Sequence, residues 1–231
     1  MTPSADIKVL SSLATREAHL ELVPHFERAS GHKVTTTWAG TVDIVKRITA
    51  GEGFDLIIAS SSAIDDFIRN EKVANNSRVD VARSGIGVAV QRGAPRPDIG
   101  SAEALKRALI AARSIGYSTG PSGVYLVALF DRLGIATEVK AKSRQVPPGT
   151  TVGPLIARGE VEIGFQQLSE LLHVEGIDVI GPLPDEIQHM TIISCGIPVA
   201  AKQVDAARAF VRFLTTANAG AAFERTGLQP A

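Results

Sequence analysis

Segments with the repeat of a β-strand and segments with the repeat of an α-helix alternate along almost the whole chain. Near the N-terminus the predicted strands lie at residues 7–10, 33–38 and 54–58. A predicted helix follows each of these strands, at residues 13–29, 42–50 and 62–70. The third strand is apolar throughout, which is typical of a sheet covered on both faces. This order predicts an open parallel sheet with helices on both sides, and therefore an α/β fold.

A second α/β block follows, enclosed by two long predicted strands at residues 85–90 and 190–201. Inside this block we predict strands at residues 114–117, 138–146, 161–165 and 177–180, and helices at residues 102–112, 124–133 and 151–158. Two further helices, at residues 204–214 and 217–226, close the chain. A chain that leaves one lobe, builds another and returns forms a two-strand hinge, and hinged lobes close around ligands.

The fold that we predict consists of two Rossmann-like lobes with mixed, mostly parallel sheets, joined by that two-strand hinge. The first lobe comprises residues 1–83 and 196–231, and the second comprises residues 84–195. Open α/β sheets bind ligands at the carboxyl ends of their strands. We therefore expect a ligand cleft between the two lobes, lined by the strand ends of both.

Composition and charge limit the partners of this chain. Lys and Arg together number 24, as do Asp and Glu, so the net charge is zero and no nucleic-acid partner is expected. No apolar run approaches the roughly 18 residues of a membrane span, so we expect no membrane insertion. The histidines show no metal-ligand spacing, and Cys195 lies in an apolar run typical of a buried thiol. We expect no metal, no other cofactor, and a monomer.

Small polar residues stand at four junctions where a predicted strand is followed by a helix. They are Ser11 and Ser12, Gly40 and Thr41, the group of Ser118, Ser122 and Gly123, and the turn of Gly149, Thr150 and Thr151. A helix N-terminus offers unpaired backbone N–H groups and about half a unit of positive charge. Several such ends that meet form an anion site without Arg or Lys. The sequence therefore predicts a small oxyanion or a carboxylate as the ligand.

Each of these junctions also has a simpler interpretation. Ser12 and Thr41 suit the caps of the helices that follow them, and residues 116–125 suit an ordinary strand-to-helix turn. Glycine favours ligand contact because its backbone can approach a ligand closely. Gln167 ends a predicted strand, where its amide could either bind a carboxylate or face solvent. Trp38 could line the cleft or belong to the core.

The same residues resemble a known family, the periplasmic solute-binding proteins of ABC transporters, and in particular the molybdate-binding type. Similar segments run along nearly the whole chain: VLSSL at residues 9–13, GT at 40–41, AGEGFDLIIAS at 50–60, PSGVY at 121–125, ARGE at 157–160 and the apolar pattern of 210–227. The resemblance implies a type II periplasmic-binding fold. It also implies ligand contacts by hydroxyl and backbone N–H groups, and a transporter permease as a partner.

Two departures from the family bear on the ligand and on the location. Gln167 stands where the family has a tyrosine that contacts molybdate, which argues against molybdate and leaves room for an organic acid. The chain begins without a leader peptide, so the expected location is the periplasm if a leader has been removed and the cytoplasm if Met1 is the native start.

Some relatives of this family isomerise unsaturated tricarboxylates such as aconitate, so an enzyme is the alternative to a binding protein. An allylic proton shift needs a base and donors for the developing negative charge. The junction residues would supply the donors, and Tyr117, Tyr125 and the serines are the candidates for proton transfer. None of these groups has an evident activating partner in the sequence. The sequence therefore favours reversible binding, with isomerisation as the alternative.

Overall fold

The computed structural model describes residues 4–231. Its strands are β1 (Asp6–Ser12), β2 (Lys33–Ala39), β3 (Leu56–Ser60), β4 (Val79–Ser84), β5 (Ile86–Gln91), β6 (Ile115–Tyr117), β7 (Ser143–Gln145), β8 (Ile163–Gln167), β9 (Ile177–Pro182), β10 (Thr191–Gly196) and β11 (Gln229–Pro230). Its helices are α1 (Arg16–Ser30), α2 (Thr41–Thr49), α3 (Ser61–Arg69), α4 (Ala102–Ala111), α5 (Pro121–Arg132), α6 (Ala136–Lys140), α7 (Gly153–Ala157), α8 (Leu168–Leu171), α9 (Val204–Leu214) and α10 (Ala217–Arg225). Helix and strand thus alternate through most of the described chain.

The described chain divides into two compact units. Unit 1 contains the chain up to Ser84 together with Ile192–Ala231, and unit 2 contains Gly85–Thr191. The chain therefore passes from unit 1 to unit 2 after β4 and returns at the start of β10. The sequence had placed the second crossing later, at the end of that strand.

Unit 1 is built on a six-stranded sheet with the order β11-β4-β10-β3-β1-β2. Strand β1 pairs in parallel with both β2 and β3, whereas β10 runs antiparallel to β3. Alternate residues of the central strands point to opposite faces: Val9 packs into one apolar cluster and Leu10 into another. Both faces of the sheet are therefore covered, as the apolar third strand predicted.

Unit 2 is built on a five-stranded sheet with the order β7-β6-β8-β5-β9. Strand β6 pairs in parallel with β7 and β8, whereas β5 runs antiparallel to β8 and β9. Two apolar clusters cover the two faces of this sheet, one around Leu126 and Phe165 and the other around Val152 and Leu171. Both units are thus α/β, and both sheets are mixed, as predicted.

The largest differences from the local predictions lie at three places. Residues 138–146 were predicted to form one strand, but Val139 lies buried in helix α6 and only Ser143–Gln145 is a strand. The predicted strand at residues 190–201 ends at Gly196, and Pro198, which cannot donate a ladder hydrogen bond, makes an isolated bridge with Val73. Strands β4 and β11, which pair with each other, were not predicted. Each error falls where tertiary pairing or burial outweighs local sequence preference.

In the part of the chain that the structure describes, no helix is both long enough and apolar enough to cross a membrane.

Candidate anion-binding site

The carboxyl ends of β1, β2 and β3 lie side by side at one edge of the unit 1 sheet. The register pairs Ser12 with Ala39, directly before Gly40 and Thr41, and pairs Ser11 with Ile58. The edge therefore brings together two of the predicted junctions because parallel strands end on the same side. It also adds a third junction, Ser60–Ser62, that the sequence analysis did not select as a site. The signal for it was a run of three serines after an apolar strand.

The two serines that end β1 are partly engaged with their own chain. Ser11 is fully buried, and its hydroxyl lies 2.8 Å from the Thr15 hydroxyl. The Ser12 Oγ accepts a hydrogen bond of 3.3 Å from the backbone N–H of Ala14. Ser12 therefore caps the turn that begins α1, as its simpler interpretation predicted. A cap still leaves the other N–H groups of the first turn without an intrahelical partner.

Helices α2 and α3 begin with hydroxyl residues that remain available to a ligand. Thr41 and Ser61 are the first residues of these helices, and both are partly exposed. Within residues 4–231 neither side chain makes a hydrogen bond. Gly40, the residue before α2, has no side chain with which to cap that helix. Free hydroxyls and free N–H groups thus stand at the positive ends of two helices.

The Trp38 side chain packs against a buried residue of unit 1. Its ring meets the edge of His19 at a centroid distance of 5.4 Å, and the other neighbour of His19 is Phe210, at 5.6 Å. His19 is buried, and its Nδ1 has no hydrogen-bond partner among the described residues. Burial lowers the pKa of His19 to about 4. His19 is therefore a neutral core residue rather than a ligand contact.

In unit 2 the junction after β6 folds into a tight loop. Ser118 and Ser122 are nearly buried, and their hydroxyls lie 3.2 Å apart. The Ser118 Oγ also accepts a hydrogen bond of 3.2 Å from the Gly120 N–H. A Cβ at Gly123 would lie 1.7 Å from the Ser118 carbonyl oxygen, so only glycine allows α5 to approach the loop this closely. The loop holds its three predicted residues in contact with one another.

The turn of Gly149, Thr150 and Thr151 lies in the loop between β7 and α7. Gly149 has a φ of 75°, a left-handed conformation that glycine adopts without strain. Gly149 and Thr150 are exposed and Thr151 is partly exposed. Because β7 and β8 both flank β6 in parallel, this loop leaves the sheet at the same edge as the Ser118–Gly123 loop. The backbone N–H of Val146, at the start of the loop, donates to the Tyr117 carbonyl at 2.9 Å.

The two glutamines that end β8 are buried, so of the two interpretations of Gln167 the one in which its amide faces solvent was wrong. Gln167 donates from its Nε2 to the Thr191 hydroxyl at 2.9 Å. Gln166 accepts a hydrogen bond of 2.7 Å from the Val152 N–H and donates to the Glu170 carboxylate. Both amides therefore hold parts of unit 2 together. A ligand contact of Gln167 stays a prediction.

Glu170 is a titratable residue of this region that the sequence analysis did not consider. Burial raises the pKa of its carboxyl group to about 7, and its hydrogen bond from Gln166 acts in the opposite direction. The signal in the sequence was a single carboxylate four residues after a strand-end glutamine, in an otherwise apolar turn. Such a group changes its charge near neutral pH.

Other features of the described chain lie away from the strand ends. Burial and the nearby Asp80 carboxylate raise the pKa of the buried Cys195 thiol, which is the environment of an unreactive cysteine. Residues 4–231 contain no group of three or more His, Cys, Asp or Glu that could hold a metal ion. A hollow of about 470 Å³ in unit 2 is bordered by Arg96, Arg113 and Glu162, at the amino-terminal ends of β6 and β8.

Comparisons with known proteins find one family of solute-binding proteins and one similar enzyme. The family model described as "Bacterial extracellular solute-binding protein" matches residues 7–229. An aconitate isomerase from Pseudomonas sp is 38% identical over 234 residues, which cover 99% of this chain and 89% of that protein.

Solved structures share the fold at low sequence identity. The periplasmic molybdate-binding protein of Azotobacter vinelandii aligns with a TM-score of 0.80 at 16% identity, covering 96% of this chain and 98% of that one. The sulfate-binding protein SubI of Mycobacterium tuberculosis aligns with a TM-score of 0.81 at 15% identity, covering 98% and 87%. These likenesses show a periplasmic-binding-protein fold.

Proposed function

Because the chain belongs to the family of bacterial extracellular solute-binding proteins, we propose that it binds a small carboxylate with several charges, of the aconitate class. The observation that carries this proposal is the 38% identity, over 99% of the chain, with an aconitate isomerase. The resemblance to molybdate-binding proteins implies a tyrosine at the position of Gln167, and its absence here also favours an organic acid. As a carrier, the protein would deliver its ligand to a transporter permease.

The donors that we assign to the ligand are neutral hydroxyls and backbone N–H groups. In unit 1 they are Thr41, Ser61 and the first turns of α2 and α3, and in unit 2 they are the Ser118–Gly123 loop and the Gly149–Thr151 turn. Each hydrogen bond to a charged group contributes roughly 1.5–3 kcal/mol, whereas removing a charge from water costs several kcal/mol. About five such donors offset this cost and leave micromolar affinity.

Substitution of one donor in each unit tests the proposal. We expect Thr41→Ala and Ser122→Ala each to weaken the binding of trans-aconitate by roughly tenfold or more, because each loses a hydrogen bond to a charged group. Titration calorimetry gives the affinity, and thermal unfolding of the same samples reports on the fold. Thr215→Ala is the matched control, since that exposed hydroxyl bonds only the Arg212 carbonyl. Unchanged affinity in both variants would contradict the assignment.

A second candidate function is the isomerisation of the same ligand, which the printed name of the 38% identical relative favours. An allylic shift moves a proton between two carbons and spreads negative charge over the adjacent carboxylates, which the same donors would stabilise. Among the phenols, Tyr125 is already engaged with the Ile187 carbonyl and with Arg132. Tyr117 ends β6 directly before Ser118 and is the phenol closest in sequence to the donors.

Proton NMR of cis- and trans-aconitate incubated with the protein in D₂O separates the two functions. Interconversion with deuterium entering the methylene position would establish the isomerase. Binding without interconversion would establish the carrier. The calorimetric test of the ligand-binding donors applies to a carrier and to an isomerase alike.

A further inference from the structure

The loop that carries Gly149, Thr150 and Thr151 has buried ends and an exposed middle. Val146 and Val152, at its two ends, are 1% and 0% exposed. Between them the Thr150 N–H donates to the Pro147 carbonyl at 3.1 Å. The position of the exposed part of the loop therefore depends on the contacts that hold its two buried ends.

The end of the loop at Val152 is held by the side chain of Gln166. The Val152 N–H donates to the Gln166 Oε1 at 2.7 Å, in a region where both residues are buried. The Gln166 Nε2 donates in turn to the Glu170 carboxylate. A buried amide with both of its polar atoms engaged has one orientation, because reversing it would set donor against donor at Val152.

We infer that Gln166 is a positioning residue that holds the Gly149–Thr151 turn in the geometry that binds the anion, and that Glu170 fixes the orientation of its amide. The inference rests on the proposed function, since it concerns the same ligand. Gln166 itself is buried beneath the turn and acts through Val152. A substitution at Gln166 should therefore change affinity without removing a ligand contact.

Glu170 gives this arrangement a dependence on pH. Strands β5 and β8 and helix α7, the elements around α8, carry no titratable side chain, and on β9 Asp178 pairs with Arg96 at 3.2 Å. The ionised carboxylate only accepts hydrogen bonds, and so it directs the Gln166 N–H groups to itself and the Gln166 oxygen to Val152. The protonated acid can donate as well as accept, so it no longer fixes which end of the Gln166 amide faces it, and the hold on the Val152 N–H weakens. Affinity should therefore rise between pH 6 and pH 8.

The experiment compares Gln166→Met with a matched glutamine substitution, Gln91→Met. Gln91 donates to the Ala157 carbonyl at 3.0 Å, so it holds the opposite end of α7 and not the turn. We expect Gln166→Met to weaken the binding of trans-aconitate at least tenfold by calorimetry, and Gln91→Met to leave it within twofold. Thermal unfolding of both variants shows whether each retains the fold at the titration temperature. Titration of the same samples with molybdate measures their affinity for an inorganic oxyanion.

The pH dependence of affinity in Glu170→Gln distinguishes positioning of the turn from a merely structural role. Its amide still accepts from the Gln166 Nε2 but does not titrate, so we expect the rise in affinity between pH 6 and pH 8 to disappear. A wild-type affinity that falls over this range would overturn the inference, because charge repulsion would then outweigh positioning. Equal affinities of wild type and Gln166→Met would overturn it too. A wild type that binds neither probe would overturn the proposed function, and this inference with it.

Discussion

His19 is the residue whose burial has the clearest consequence for stability. It is 2% exposed, packs edge-on against Trp38 and Phe210, and has an Nδ1 without a hydrogen-bond partner in the described chain. The imidazolium form would bring a charge into this apolar site, so the pKa of His19 falls from 6.5 to about 4. The folded state therefore binds fewer protons at this residue than the unfolded state.

A stability profile against pH tests this burial. Because the pKa of His19 is lower in the folded state, its contribution to stability is fully present above pH 6.5 and is lost as the pH falls towards 4. The loss amounts to about 3 kcal/mol, from a pKa difference worth about 1.4 kcal/mol per unit. Chemical denaturation at several pH values measures it as the difference between wild type and His19→Phe, which keeps an aromatic ring but does not titrate.

Glu170 has the opposite effect on the pH dependence of stability over part of the same pH range. Its pKa is raised in the folded state, to about 7, so its contribution is present below pH 4.5 and is lost as the pH rises to 7. The wild-type profile therefore combines two opposing slopes. The stability of Glu170→Gln should fall as the pH drops from 7 to 5, and that of His19→Phe should rise. Parallel profiles for the two variants would contradict both assignments.

At the scale of elements, helix α5 packs unusually closely against the end of strand β6. The close approach depends on Gly123, whose missing side chain leaves room for the Ser118 carbonyl. It also brings the Ser118 and Ser122 hydroxyls within 3.2 Å of each other. The geometry of this donor loop is thus set by helix packing, and a change in packing should alter stability and binding together.

Gly123→Ala tests this packing. A Cβ placed 1.7 Å from a carbonyl oxygen forces the helix and the loop apart, so we expect the free energy of unfolding to fall by about 3 kcal/mol, the upper part of the range for overpacking. Urea denaturation measures the change. Gly53→Ala is the matched control, because a Cβ there meets nothing within 4 Å and its φ is not positive. Equal stability of the two variants would mean that the close approach does not matter.

The element predictions succeeded where a segment's own pattern agrees with its environment. Helices α4 and α9 lie within a residue of their predicted bounds, since each has a regular apolar face that its unit covers. The prediction of one strand at residues 138–146 failed because this segment has mixed preferences. Its first part forms helix α6, in which Val139 is buried against the core of unit 2. Such a choice is made by the neighbouring elements and is not encoded locally.

At the scale of the whole molecule, unit 1 must join segments that are far apart in the chain. Asp55, which is 5% exposed, performs this role with three hydrogen bonds. Its carboxylate accepts from the backbone N–H of Lys8 at 3.0 Å, of Lys202 at 2.8 Å and of Gln203 at 2.9 Å. The start of the returning segment that leads into α9 is thereby fixed to β1 and β3.

Asp55→Ala should destabilise unit 1 as a whole. It leaves three partly buried backbone N–H groups without their acceptor, so we expect a loss of about 2–3 kcal/mol in the free energy of unfolding. Chemical denaturation followed by circular dichroism measures it. The control is Asp66→Ala, which removes an exposed carboxylate paired with Arg69 and should change stability by less than about 1 kcal/mol. A loss at Asp55 no larger than at Asp66 would refute this role.

The candidate site was only partly predictable from the sequence. The strand-end serines and threonines could be found because a strand, a small polar residue and a helix follow each other in the chain, and parallel strands end together. Ser61 was passed over because its neighbours look like an ordinary helix start. The positioning role of Gln166 could not be found, because its partner Val152 lies 14 residues away in the chain and is joined to it only by the fold. The role of Glu170 depends in turn on that of Gln166.

The sequence by itself determined the α/β class and the placement of hydroxyl-bearing junctions after the strands, because both depend on periodicities and residue types that are local along the chain. Tertiary structure alone decided which junctions lie at one sheet edge, which hydroxyls are already paired, and which carboxyl group titrates near neutral pH. Those properties depend on burial and on partners that are distant in sequence, such as Gln166 for Val152. A local sequence pattern does not determine the distance between two atoms that only packing brings together.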